Sequence, residues 1–234
     1  MMRNIQVFEH VLKVYLLKDI ENKNALESIA KLIDKSLAKD PELYKFHETN
    51  QFKNYCFNSF YKLEADGIYR EGRVYSVIIR TVDKKLSEYL VDRLSDESTE
   101  EIKALTIDRR IIKRRHLEKI YSITPLILKT EKGYWRNSLS LKDFERLVVT
   151  NLIKKYNFYF DTKIDEDFEF FTMLEFDNKK PISTAYKSIN LLGDKLTIYL
   201  AENDRAQELA YFSLGSGIGE NNARGYGFVN FRGI

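Results

Sequence analysis

AQELAYFSLGSGIGENNARGYGFVNF, residues Ala206–Phe231, joins three kinds of sequence in one segment. The opening, from Asp204 to Leu214, reads as a short apolar helix, and the closing YGFVNF reads as a strand. Between them lie Gly215, Gly217, Gly219, Gly225 and Gly227, half of the ten glycines in the chain. Glycine permits positive φ and close backbone approach at an entropic cost. A cluster of five therefore marks a demanding backbone path. A glycine loop between a helix and a strand, rich in N–H groups, suits an anion such as phosphate. It also suits a tight turn that packs two halves of a protein together. The familiar nucleotide-binding patterns do not fit, because no Lys-Ser/Thr follows the glycines and no strand directly precedes them.

Working back from this loop, the same alternation of elements appears twice. In the first half, VLKVYLLK reads as a strand, and Asn24 caps a helix over ALESIAKLIDKSLAK that ends before Pro41. FKNYCFNSFYKLE and RVYSVIIRTVD form a hairpin, KLSEYLVDRLS is helical, and EIKALTIDRRI is a strand. In the second half LILK is the first strand, and Ser140 caps a helix with Leu141, Phe144, Leu147, Val148 and Leu152 on one stripe. DFEFFTMLEF is a strand, and ISTAYKSINLL pairs with KLTIYLAE around Gly193-Asp194. The terminal helix, glycine loop and strand complete the pattern. The fold expected is α+β, two tandem ferredoxin-like (RRM-like, βαββαβ) domains over residues 1–121 and 122–234.

The 234 residues are 44% hydrophobic and 31% charged, with a net charge of +3. No run of eighteen apolar residues exists, so no transmembrane helix and no membrane partner are expected. Glu9, His10 and Lys13 interrupt the region where a signal peptide needs its apolar stretch, which points to a cytoplasmic protein. The single Cys56 excludes an internal disulfide and a cysteine-based zinc site. His10, His47 and His116 are far apart, which argues against a His-rich metal site, although carboxylates could still bind magnesium; no metal and no cofactor are expected. Five of the seven residues in RRIIKRR (Arg109, Arg110, Lys113, Arg114, Arg115) are basic, and aromatics make up 13% of the chain. Phosphates meet Arg and Lys while unstacked bases lie on aromatic rings, so this combination suits RNA.

GIGENNARGYG, with Gly217-x-Gly219 followed five residues later by Gly225-x-Gly227, resembles the signature loop of the CRISPR repeat-processing endoribonucleases. The preceding ELAYFSLG resembles that family's helix before the loop. YSITPLILKT resembles the segment opening its second domain, and YKFHETNQFKNYCFNSFY resembles its histidine-bearing segment. The resemblance implies a metal-independent endoribonuclease acting on the repeat RNA of the guide precursor. In that reaction the RNA's own 2′-hydroxyl attacks the adjacent phosphate, leaving a 2′,3′-cyclic phosphate and a 5′-hydroxyl. It implies His47 as a proton-transfer residue and Lys53 as its basic partner. Some members carry a tyrosine in the first helix; here Lys31 and Lys35 occupy that helix, and Tyr44 is the nearest substitute. Gly217, Gly219, Gly225 and Gly227 would approach the RNA backbone, with Arg224 adding charge. Arg109, Arg110, Lys113, Arg114 and Arg115, with His116 beside them, would contact phosphates; His10 is structural. The alternative is a noncatalytic RNA-binding subunit of a CRISPR effector complex. Partnership with other CRISPR-associated proteins and homodimerisation stay open.

Overall fold

The structure, a computed structural model, describes residues 3–49, 51–186 and 189–233; the side chains of 46–48, 185 and 186 lie outside the description. The first half runs β1 (Val7–Leu16), β2 (Ile20–Glu21), α1 (Asn22–Leu37), α2 (Pro41–Glu48), β3 (Tyr55–Phe57), β4 (Ile68–Tyr69), β5 (Val74–Thr81), α3 (Lys84–Arg93) and β6 (Ile102–Ile112). The second runs β7 (Leu117–Ser122), β8 (Lys129–Thr130), β9 (Gly133–Tyr134), α4 (Leu141–Phe160), β10 (Phe171–Phe176), β11 (Ile182–Tyr186), β12 (Ile189–Gly193), β13 (Leu196–Leu200), α5 (Asp204–Ser216) and β14 (Val229–Gly233).

Two four-stranded antiparallel sheets result, ordered β3-β5-β1-β6 and β10-β13-β7-β14. In each, the first strand of its half sits between the third and the fourth, which is the ferredoxin-like arrangement, so the expected fold class is observed. The chain leaves the first sheet at Ile112 and enters the second at Leu117.

Several elements differ from the sequence reading. Of LILK only Lys129 enters a strand, the two-residue β8; the first strand of the second sheet is LEKIYS, whose buried positions Leu117, Ile120 and Ser122 lack strict alternation. β11 pairs antiparallel with β12, while β13 pairs with β10 and β7. FKNYCFNSFYKLE supplies only the three-residue β3 and a bridge from Tyr61 to Ser76. Helix α1 begins at Asn22 after Glu21, with no side-chain cap, so Asn24 is not its cap. The stretch after Pro41 is helical: Asp40 Oδ1 accepts from the Glu42 and Leu43 N–H groups, and proline at the first helical position gives up only an N–H that has no partner there.

Helix α5 ties the two halves together. It is buried nearly all round, the pattern of a helix within a core. It contacts β1, β3 and β5 of one sheet and β7, β13 and β14 of the other. At Gly215 an added Cβ would come 2.8 Å from Val82 Cγ1, so glycine lets α5 approach the end of β5 closely. The Cys56 thiol, pushed up to about 12 by burial, donates to the Leu214 and Gly215 carbonyls. A polar stitch crosses the same boundary. Glu9, 1% exposed, pairs with Arg80 and Arg110, and Arg80 also donates to the Val229 carbonyl.

Candidate nucleic-acid interface

The cleft that combines both halves has a volume of about 510 Å³. Residues Thr49 and Gln51–Tyr55 form one wall, Asn151, Lys154 and Lys155 of α4 another, and Lys129, Ser216 and Gly219–Arg224 the third. Among the described residues its lining carries Lys53, Lys129, Lys154, Lys155 and Arg224 against the single carboxylate Glu220. Such an excess of cations around a concave surface concentrates anions.

Three of these cations are positioned by identifiable contacts. Lys53 Nζ donates to the Thr49 carbonyl at 2.7 Å. Burial lowers its pKa, and the charge of Arg224 lowers it further. Arg224 forms an ion pair with Asp34 of α1, joining the glycine loop to the first half. Lys155 is 2% exposed, and its Nζ donates to the Gly217 carbonyl at 3.0 Å and to Asn222 Oδ1 at 2.5 Å. Burial lowers its pKa to about 7. Phe52 sits edge-on to Phe158 at the cleft margin.

Of the residues singled out from the sequence, Lys53, Gly219 and Arg224 meet in this cleft. His47 lies on α2, in the segment that leads to Thr49 and Gln51 of the cleft wall, but its side chain lies outside the described residues. Tyr44 is 45% exposed on α2 and does not line the cleft. Lys31 pairs with Glu27, and Lys35 pairs with Glu97. Helix α1 pairs Asp34 with Arg224 of the loop, a contact that sequence reading misses.

The glycines have packing reasons of their own. Gly217, Gly219, Gly225 and Gly227 all have positive φ. A Cβ on Gly225 would meet Phe57 and Leu26, one on Gly219 the Ile127 carbonyl, and one on Gly227 the Ile218 carbonyl at 1.9 Å. The N–H groups of Gly217, Ile218, Glu220, Gly225 and Gly227 donate to Ser213, Gly227, Ile127, Asn222 and Pro125 carbonyls. Those amides are engaged within the protein, so the space next to these glycines is filled by the protein itself.

The basic run stands apart from the cleft, and none of its five residues lines it. Arg110 is drawn to buried Glu9, Arg114 donates to the Arg3 carbonyl and lies 5.7 Å from the Tyr211 ring, and Arg115 lies 6.0 Å from the Phe231 ring. His116 is exposed. His10 is fully buried between the Ile79 carbonyl and the Ser87 hydroxyl, in keeping with a structural role; burial lowers its pKa. Among the described residues no group of three His, Cys, Asp or Glu side chains is placed to hold a metal ion. No helix among them is long and apolar enough to cross a membrane.

The family model described as CRISPR associated protein Cas6, C-terminal, matches residues 107–231, more than half of the chain. The chain belongs to the Cas6 family. The match includes the glycine loop and the α4 side of the cleft, and begins after the segment with His47 and Lys53. No curated protein matches the chain. Among solved structures, a Cas6-related protein from Pyrococcus furiosus superposes with a TM-score of 0.71 at 17% identity, covering 97% of this chain and 98% of that one. Cas6 of Thermus thermophilus gives 0.59 at 16%, covering 98% and 100%. A protein titled "An RAMP protein binding different RNA substrates" gives 0.73 at 18%, covering 96% and 99%. At these identities the likeness shows the fold.

Proposed function

We propose that this Cas6-family protein cuts CRISPR repeat RNA into guide RNAs. The observation that carries this reading is the convergence of Lys53, from the first half, with Arg224 and the α4 lysines, from the second, around one concave cleft. A cleavage by 2′-hydroxyl attack builds negative charge on the non-bridging oxygens of one phosphate. Preorganised cations in a partly dry cleft stabilise such charge far better than water does. His47, on the helix leading into the cleft wall, moves the proton. Lys53 neutralises the phosphorane, and its lowered pKa eases proton transfer at either end of the reaction. Tyr44 is assigned an accessory role in the same segment. The reaction proceeds without metal, as the family resemblance implies, and yields a cyclic phosphate and a 5′-hydroxyl. Gly217, Gly219, Gly225 and Gly227 shape the loop that presents Arg224 to RNA, and Arg109, Arg110, Lys113, Arg114 and Arg115 hold the backbone of the flanking RNA. We also place the junction of the two domains at Lys113–His116, a few residues ahead of a division at 121/122.

The test is incubation of the purified protein with its own repeat RNA in excess EDTA, with analysis of the product ends. Cleavage giving a cyclic phosphate supports the reading. Cleavage only on addition of magnesium contradicts the chemistry, and tight binding without cleavage points to a noncatalytic RNA-binding subunit.

A further inference from the structure

We propose that Lys155 is a positioning residue for the cleft, acting through Asn222 to fix the turn that presents Arg224. This rests on the endoribonuclease reading for its effect on rate, but its structural half stands independently.

Lys155 continues the inward stripe of α4 after Phe144, Val148 and Leu152, where an apolar side chain would be expected. Its ammonium is instead buried beneath the glycine loop and donates to two neutral acceptors, the Gly217 carbonyl and Asn222 Oδ1. Burying a cation against neutral partners is costly. A neutral donor could satisfy the same acceptors, so simple packing gives no reason for the charge.

Asn222 is the hub of the loop. With Oδ1 taken by Lys155, its Nδ2 donates to the Ile218 and Tyr226 carbonyls, each at 2.9 Å. Only this amide orientation matches donors to acceptors on both sides, since an ammonium cannot accept and a carbonyl cannot donate. Two of the signature glycines make room for this one side chain. A Cβ at Gly217 would come 2.5 Å from Asn222 Nδ2, and one at Gly227 would come 2.9 Å from it. Asn222 also opens the short turn in which its carbonyl accepts from the Gly225 N–H, and that turn ends at Arg224. Lys155 therefore orients Asn222, Asn222 holds both ends of the loop, and the loop sets Arg224 between Asp34 and Lys53. A misplacement of a cation by about 1 Å, caused by a change remote from the reacting atoms, is enough to slow a reaction on the order of 10²-fold.

The experiment compares wild type, Lys155→Met, Asn222→Ala and the double variant in single-turnover cleavage of repeat RNA at saturating protein. RNA affinity and amide hydrogen exchange at Tyr226 and Gly227 are measured alongside. Expected are roughly a 10–100-fold loss of rate in each single variant, RNA affinity within about threefold of wild type, faster exchange at both amides, and a double variant no slower than the slower single. Wild-type rate in Lys155→Met overturns the proposal, as does a double variant whose loss is the product of the two singles. If Lys155→Met does not fold, Lys155→Leu, which also removes the donor, takes its place under the same criteria. If wild type itself cuts no RNA, the endoribonuclease reading fails; unchanged exchange in Lys155→Met then overturns the positioning claim separately.

Discussion

Lys155 is the residue where burial and charge are most at odds. Its ammonium is brought down to about 7 by burial, from 10.5 in an exposed side chain. In the unfolded chain the ordinary value returns. Between about pH 7 and 10.5 the unfolded state therefore holds a proton that the folded state has shed. Stability at this position rises with pH across that window, and the burial penalty is largest below it. Cys56 and Glu220 are the titratable neighbours that act on it. Lys155→Met removes the penalty, so its melting temperature relative to wild type is highest near about pH 6.5 and falls back toward wild type by about pH 9. Thermal melts across this range check it; a gap that does not change with pH contradicts it. His10 also titrates below its ordinary value, but it is common to both proteins and cancels between them. The sequence holds a sign of Lys155, a lysine falling on the apolar stripe of α4. Asp34 has none, because its partner Arg224 lies 190 residues away and no local pattern marks such a pair.

At the scale of elements, the glycine loop separates strain from crowding. Gly67 and Gly227 both have positive φ, +73° and +64°, but a Cβ at Gly67 meets nothing within 4 Å. Gly67→Ala should cost about 1 kcal/mol from the backbone alone. Gly227→Ala adds the clash with the Ile218 carbonyl and should cost about 2–4 kcal/mol. Denaturant titration of the two variants checks this, and equal losses would mean that the loop is not packed as described. The long elements are legible because their signals are local and repeated. Helix α4 has Ser140 as its cap, its side chain accepting from the Asp143 N–H, and α5 runs unbroken into the glycines. Helix α2 escapes a sequence reading because Asp40-Pro41-Glu42 marks the end of one helix as readily as the start of another. β7 escapes it because a basic run directly precedes the strand and Glu118 and Lys119 break its apolar alternation. The β11–β12 pair invites the wrong pairing because Gly193-Asp194 looks like a turn. Asp194 is in fact buried, accepting from Tyr134 and Trp135.

Over the whole molecule, two basic regions have different surroundings. The cleft gathers cations from both halves, whereas the run from Arg109 to Arg115 lies along the end of β6 and the link to β7. Arg110 is tied to the buried Glu9, so Arg109 and Lys113 are the cleaner probes. Replacing both with Gln should weaken RNA binding and lower the slope of log affinity against log salt by about 0.7 for each phosphate no longer neutralised. An unchanged slope would reduce the run to solvated surface. The fold is legible because the order of elements repeats. The cleft is legible only where short motifs carry it, in Lys53, Gly219 and Arg224, since its remaining walls come from segments distant in sequence. Single-turnover cleavage of the repeat RNA in EDTA, with wild type beside His47→Ala, decides whether the cleft is catalytic. Wild type should cut to a cyclic phosphate, and His47→Ala should bind equally well but cut on the order of 10²–10⁴ times more slowly. Equal rates for the two proteins would contradict a catalytic cleft built on His47.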